Sequence, residues 1–225
     1  MKELVSTVVY NSVMQKIFRK FVGWFLQGLY ASFAWGYDII AKIVSFGNWT
    51  QWTIQIKKFL NYEEKILEVD IGTGHLHKYL LNEKYQIYGC DLSKQMIKIS
   101  SNRVKESEPK IFRADNNKLP LRDNSFSKII ATFPSEYIFS DDFLNESQQL
   151  LIKGGELIVL LSVNFVKNDI TSRFYRILYK ITGQSLSKSY SEKLIQKIYG
   201  SNWDVNIDWE PYKNVELCFV TLKSK

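Results

Sequence analysis

The chain has 225 residues, of which 45% are hydrophobic and 15% aromatic, and this composition excludes a disordered or fibrous protein. The net charge of +7 would suit nucleic acid or an anionic membrane, but the lysines and arginines form no dense block, so nucleic-acid binding is not expected. Cys90 and Cys218 lie in apolar stretches and are expected as buried free thiols, and no C-x-x-C or histidine cluster suggests a metal site.

The first 60 residues are predicted to be helical, because Val13, Ile17 and Phe21 recur at helical spacing. We interpret residues 1–60 as a helical cap segment and residues 61–225 as the core of one structural domain. Residues 21–37 are aromatic-rich and carry no formal charge, which leaves three alternatives. The favoured one is a helix packed on the domain, ahead of an interfacial amphipathic helix and a transmembrane helix.

No secretory signal pattern is recognised at the N-terminus. A cytoplasmic protein is therefore expected, with peripheral membrane contact through the aromatic segment as the open alternative. The same aromatic side chains could instead close over an apolar ligand.

Strand-like and helix-like stretches alternate from residue 65 onward. Strands are predicted at residues 66–71, 86–90, 110–114, 127–132 and 156–161. Two late strands, 203–209 and 215–222, are joined by a short turn containing Pro211 and should pair antiparallel. The pattern predicts an α/β, Rossmann-like doubly wound seven-stranded sheet, mostly parallel with an antiparallel last strand, plus the N-terminal helical cap.

Helices are predicted between these strands, at residues 75–82, 94–105 and 141–151, and later at 172–181 and 191–199. Ser93 and Ser140 stand at the N-cap positions of two of them. Lys153-Gly154-Gly155 is interpreted as a helix stop.

The first strand runs directly into a glycine turn, Gly72-Thr73-Gly74. Glycines there permit positive φ and let a ligand lie against the backbone, while the N–H groups of the next helix point at that ligand. Asp91, at the end of the second strand, is placed to accept hydrogen bonds from ribose hydroxyls. His77 stands where a dinucleotide fingerprint has its third glycine, which argues against a dinucleotide ligand.

Four stretches in this order carry a family resemblance: ILEVDIGTG, YGCDLSKQM, FRADNNKLPLRDNSFSKIIATF and LLIKGGELIVL. Together they resemble the class I S-adenosylmethionine-dependent methyltransferases, and most closely the small-molecule group that includes the ubiquinone and menaquinone biosynthesis C-methyltransferases. The resemblance covers about residues 62–162. It implies an enzyme that uses S-adenosyl-L-methionine and moves a methyl group by in-line displacement to a small, apolar or lipid-like acceptor.

The resemblance also implies cofactor-binding roles in the first half of the core. Glu68 and the turn of residues 72–74 would hold the methionine moiety. Asp91 would bind the ribose hydroxyls, and Leu92 would lie against the adenine. Met96 matches a position near the ribose and adenine, although a methionine on a helix also suits the core.

Further cofactor contacts are implied in later segments and in the cap. Asp115 and Asn116 would address the adenine edge, although Asp115 could equally cap a turn. Thr132 and Phe133 would border the sulfonium, although Phe133 could simply pack. Tyr37 matches the family's N-terminal segment and is an aromatic candidate for the sulfonium.

Asp70 departs from the family pattern, which usually has glycine or alanine there. Either its carboxylate faces the ammonium or sulfonium of the cofactor and attracts it, or its side chain crowds the methionine site. A cofactor-binding but non-catalytic partner or assembly protein is therefore the alternative function. Methylation of a nucleic-acid base is less favoured, because ATFPSEY lacks the polar motif of many base-amino methylases. No catalytic residue is assigned.

Overall fold

The computed structural model describes residues 47–105, 110–166, 195–196, 199 and 203–224, with the backbone alone described at residue 136. The predicted helices before residue 47, the whole of 172–181 and most of 191–199 lie outside the described residues. Tyr37 lies outside them as well.

Seven strands of the described residues form one sheet in the order β3-β2-β1-β4-β5-β7-β6. Five neighbouring strands run parallel, and β7 is antiparallel to both β5 and β6. This topology confirms the predicted fold class. The strands are β1 Lys65–Val69, β2 Gln86–Asp91, β3 Lys110–Arg113, β4 Phe126–Thr132, β5 Leu151–Phe165, β6 Trp203–Tyr212 and β7 Val215–Ser224.

The helices of the described residues are short and flank the sheet. Helix α1 is Trp49–Ile54 and continues into a 3-10 helix, Gln55–Phe59. Helices α2, α3 and α4 are His75–Asn82, Lys94–Arg103 and Asp141–Leu150, and a second 3-10 helix, Glu136–Phe139, precedes α4. None of these helices is long and apolar enough to cross a membrane.

Both predicted serine caps are confirmed. The Ser93 hydroxyl accepts a hydrogen bond from the Met96 N–H at 3.3 Å, and the Ser140 hydroxyl accepts one from the Phe143 N–H at 3.2 Å. Each cap satisfies an N–H group that the first turn of its helix leaves free.

The sheet buries both of its faces, as alternation along β1 requires. Leu67 and Val69 belong to a core that includes Phe143 and Leu144 of α4. Ile66 belongs to the opposite core, shared with α1 and α2. The side chains that fill this second core from the helices are Trp52, Ile56, Leu76 and Leu80. The last part of the predicted cap segment therefore packs on the same sheet as the core.

The predicted helix stop at Lys153-Gly154-Gly155 is wrong. Helix α4 ends at Leu150, and β5 begins at the next residue, so these residues lie within the strand. Leu151 is buried and pairs with Phe126 at the start of β4, and the register then shifts. Gly154, at φ 79°, supplies the irregular backbone that this shift needs.

The hairpin of β6 and β7 is confirmed, but its turn is not where the proline predicts. Pro211 lies within β6, paired with Glu216, and the turn falls at Lys213 and Asn214. Since β6 is the last strand in the sheet order, one side of it has no strand neighbour among the described residues. A proline is tolerated in such an edge strand because it removes no ladder hydrogen bond there.

Candidate functional site

The candidate site lies where the sheet reverses its strand order. The chain passes from β1 outward to β2 and β3, and then returns to place β4 on the other side of β1. The loops after β1 and β4 therefore diverge, and a crevice forms between them at the carboxyl ends of the strands. Asp70 follows β1, Asp91 ends β2, and Thr132 ends β4.

The glycine turn after β1 requires glycine at both positions. Gly72 and Gly74 have φ values of 53° and 77°. A Cβ on Gly74 would lie 2.7 Å from the Cβ of Ser100 in α3, so Gly74 also allows close packing of that helix. A Cβ on Gly72 would meet nothing within 4 Å, so there is open space above the turn. Thr73 between them is buried.

Asp91 ties the turn after β1 to the turn after β2. Its Oδ2 accepts a hydrogen bond from the Gly72 N–H at 2.9 Å, and its Oδ1 accepts one from the Ser93 N–H at 2.8 Å. Burial raises the pKa of this carboxyl to about 6, and the carboxylates of Asp70 and Glu68 add to the effect, while the two hydrogen bonds oppose it.

Asp70 occupies a left-handed backbone conformation, with φ 54°. A glycine adopts this conformation without strain, and aspartate tolerates it better than most other residues, which explains why a small residue is expected here. The Asn116 amide donates a hydrogen bond to Asp70 Oδ1 at 2.9 Å. Burial raises the pKa of the Asp70 carboxyl, and the side chains of Asn116 and Tyr137 oppose that shift.

Glu68 is paired with His77 between β1 and α2. Glu68 Oε2 and His77 Nδ1 are 2.9 Å apart, and the two side chains are 3% and 0% exposed. Gly89 lies opposite Glu68 in the β1–β2 register, and a Cβ there would lie 2.8 Å from His77 Cε1. The missing side chain of Gly89 therefore provides the room for the imidazole.

The residues predicted around the adenine differ in exposure. Leu92 is 55% exposed, unusual for a leucine, whereas Met96 is buried within α3. Asp115 is exposed, and its Oδ1 accepts a hydrogen bond from the Asn117 N–H at 3.0 Å, as in the turn-capping alternative. Asn116 is buried, and its Oδ1 accepts a weak hydrogen bond from the Cys90 thiol.

The loop after β4 brings aromatic side chains to the crevice. Phe133 directly follows Thr132 and has φ 49°, and its ring centroid lies 4.4 Å from that of Trp49 in α1. The packing alternative for Phe133 is thus realised, with a partner from the N-terminal segment. Tyr137, in the second 3-10 helix, has a buried hydroxyl that lies near the Asp70 carboxyl group.

The role of the Glu68–His77 pair does not follow from inspecting motifs alone. In the sequence, His77 is notable only because it replaces a third glycine. A buried glutamate on a central strand needs a partner, and a glycine inside the neighbouring strand signals a close approach. Glu68 and Gly89 together therefore predict a buried partner for the glutamate, close to the glycine.

Two further features concern thiols and metals. Cys90 and Cys218 are buried free thiols, as predicted, and burial raises the pKa of Cys90. Within the described ranges no group of three or more histidine, cysteine, aspartate or glutamate side chains could hold a metal ion.

Part of the chain is similar to a known family of proteins. Residues 67–159 match the family described as "Methyltransferase domain". The chain is 31% identical over 150 residues to a demethylmenaquinone methyltransferase of Thermotoga maritima, which covers 64% of each chain. It is 26% identical over 160 residues to a ubiquinone/menaquinone biosynthesis C-methyltransferase of Shewanella piezotolerans, covering 67% of this chain and 63% of that one. In both alignments the chain spans less than two thirds of the relative's length.

Solved structures share the fold. A SAM-dependent methyltransferase of Methanosarcina mazei superposes with a TM-score of 0.53 at 16% identity, covering 76% of this chain and 96% of that chain. Phosphoethanolamine N-methyltransferase 2 of Haemonchus contortus, solved in complex with S-adenosyl-L-methionine, superposes with a TM-score of 0.54 at 15% identity. That match covers 79% of this chain and 53% of the other.

Proposed function

We propose that this chain is an S-adenosylmethionine-dependent methyltransferase, and the match of residues 67–159 to the methyltransferase-domain family supports this. The observation that carries the proposal is Asp91, which bridges the Gly72 turn and the start of α3 through two backbone N–H groups. This arrangement places a buried carboxylate beside an open glycine turn at the switch point of the sheet.

The described residues fit the cofactor at three points. Open space above Gly72 leaves the backbone free to approach the methionine moiety. The Asp91 carboxylate has lone pairs left for the two ribose hydroxyls after accepting its backbone hydrogen bonds. The exposed face of Leu92 offers apolar surface to the adenine ring.

The other cofactor contacts are part of the same proposal. Thr73, Gly74 and Glu68 shape the methionine end, with Glu68 acting through the His77 pair rather than by direct exposure. The adenine and sulfonium ends are assigned to the residues that follow the later strands, with one from the cap. These residues are Met96, Asp115, Asn116, Thr132, Phe133 and Tyr37.

S-adenosylmethionine supplies an activated methyl group, so the chain's own task is to align the reactants and exclude water. Backbone N–H groups at the start of α2 and the Asp91 carboxylate fix the orientation of the bound cofactor. The Trp49–Phe133 contact covers the β4 side of the crevice with apolar rings. An aromatic face near a sulfonium also adds cation–π attraction.

We propose a small, apolar or lipid-like acceptor. The relatives act in quinone biosynthesis by their names, and the loop after β4 carries two aromatic residues, Phe133 and Tyr137. We place the protein in the cytoplasm, with peripheral membrane contact through residues 21–37 as the route to a lipid-like acceptor. Residues 1–60 then form the cap and 61–225 the core of one domain, which the packing of Trp52 and Ile56 on the sheet supports.

Calorimetric titration of the full chain with S-adenosylmethionine, followed by transfer of labelled methyl to a demethylmenaquinone analogue, tests the proposal. Micromolar binding with label in the extracted quinone is expected. Absence of binding would overturn the cofactor assignment. Binding without transfer to any lipid or cytosolic extract would favour the non-catalytic alternative, for which the unusual Asp70 is the motivating observation.

A further inference from the structure

Three carboxylates lie near the carboxyl ends of β1 and β2: Glu68, Asp70 and Asp91. They are close enough to raise the pKa of Cys90 by their combined charge, in addition to its burial. Glu68 and Asp91 are 3% and 7% exposed, so solvent screens little of this charge.

No lysine or arginine of the described residues neutralises these carboxylates. Their partners are backbone N–H groups, the Asn116 amide and the His77 ring. Buried carboxylates are usually paired with cations, because isolated charge is costly to remove from water. The cluster therefore favours a ligand that brings positive charge.

Asp70 is the member of the cluster that differs from the family pattern, and its side chain is held in place. Its left-handed backbone sets the direction of the side chain, and the Asn116 hydrogen bond fixes one oxygen. Its other neighbour, Tyr137, comes from the loop after β4, and its buried hydroxyl lies close enough to the carboxylate to oppose the rise in the pKa of Asp70. The carboxylate thus lies at the junction of the loops after β1, β3 and β4.

The methyl donor and its product differ in charge at one atom. When the sulfonium loses its methyl group to the acceptor, the electron pair of the broken bond stays on sulfur and leaves a neutral thioether. The ammonium, carboxylate, ribose and adenine of the two molecules are the same. A carboxylate near the sulfur therefore distinguishes them by Coulomb attraction alone.

We infer that Asp70 is a specificity residue for the charge of the cofactor, favouring the cationic donor S-adenosylmethionine over the neutral product S-adenosylhomocysteine. This inference rests on the proposed function and extends it to one side chain. Its consequence is that the attraction disappears on methyl transfer, which helps the product to leave.

The test compares dissociation constants of both molecules for the full chain and for Asp70→Asn. Asparagine tolerates the left-handed backbone and keeps an oxygen to accept from Asn116, so the substitution removes charge with little change of shape. We expect donor binding to weaken about tenfold and product binding to change less than about twofold. Asp123→Asn, an exposed change just before β4 and therefore at the amino ends of the parallel strands, removes the same charge and should alter neither constant.

Asp70→Gly is the second variant, since glycine suits φ 54° and will fold even if the asparagine variant does not. The same loss of selectivity is expected from it. Equal weakening of donor and product would assign Asp70 to the shared ammonium or to shape, and would overturn the inference. Unchanged constants for both molecules would also overturn it. A wild-type chain that binds neither molecule would instead overturn the proposed function.

Discussion

At the scale of single residues, Asp91 joins two turns by accepting one hydrogen bond with each oxygen, and its pKa lies near 6 because it is buried. A ligand that donates hydroxyl hydrogen bonds or brings positive charge favours the ionised form. Binding of S-adenosylmethionine should therefore release a proton near pH 6. We expect affinity to rise between pH 5 and pH 7, measured by calorimetry in buffers of different ionisation enthalpy. Binding without proton release at pH 6 would contradict this.

The same pKa predicts an effect on stability without ligand. The folded carboxyl holds its proton up to about pH 6, whereas the unfolded one releases it near 3.8. Lowering the pH from 7 to 4 should thus stabilise the protein through this group, by at most about 3 kcal/mol. Urea unfolding gives the free energy of unfolding of wild type and of Asp91→Asn at each pH in this range. Plotted against pH, the two sets of values should differ in slope. Plots of equal slope would show that Asp91 does not titrate between pH 4 and pH 7.

The Glu68–His77 pair predicts an asymmetric response to mutation. His77→Ala leaves a buried carboxyl group without its partner and should lower the free energy of unfolding by about 3–5 kcal/mol. Glu68→Gln keeps a polar partner for the imidazole and should cost clearly less. Urea denaturation of both variants provides the comparison, and equal losses would mean that a glutamine does not replace the glutamate as a partner of the imidazole.

At the scale of elements, β1, β2 and α2 pack closely together because one position between them is a glycine and has no side chain. Gly89 lies across from Glu68 in the sheet and beneath the His77 ring. The packing of the helix therefore depends on a residue of a neighbouring strand, which helix and strand propensities do not predict. It also explains why helix α2 can carry a histidine on its buried side.

Gly89→Ala should destabilise the protein by about 1–3 kcal/mol, because the added Cβ would lie 2.8 Å from His77 Cε1. The double variant Gly89→Ala with His77→Ala removes the clash with the imidazole but keeps the 2.8 Å contact with Ile71 Cγ2, so its cost should be less than the sum of the single costs. Chemical denaturation of the four proteins completes the double-mutant cycle. If the costs of the two substitutions simply add, the clash between the added Cβ and the His77 ring is relieved by movement of other residues.

At the scale of the whole molecule, the crevice is formed by loops from four strands, and a ligand there would hold them together. S-adenosylmethionine at about 100 times its dissociation constant should stabilise the folded protein by about 2.7 kcal/mol. The rise in melting temperature should grow with the logarithm of ligand concentration, as thermal unfolding will record. A melting temperature independent of ligand would argue against a cofactor site.

The α/β order, the glycine turn, the two serine caps and the antiparallel hairpin are predictable from the sequence, because each depends on neighbours within a few residues. The two wrong predictions also rest on short sequence patterns. The glycines of Lys153-Gly154-Gly155 predict a helix stop, but Leu151 is buried against β4 and starts a strand; Pro211 predicts a turn, but an edge strand accommodates it.

Which polar side chains come into contact depends on how the strands and loops are arranged in the fold. Asp70 contacts Asn116 across 46 positions of sequence, and Asp91 reaches Gly72 across 19. Burial then sets the charge behaviour of these groups, and burial depends on every layer packed around the sheet. The motif thus specifies the backbone of the turn, whereas the fold decides which carboxylates surround it.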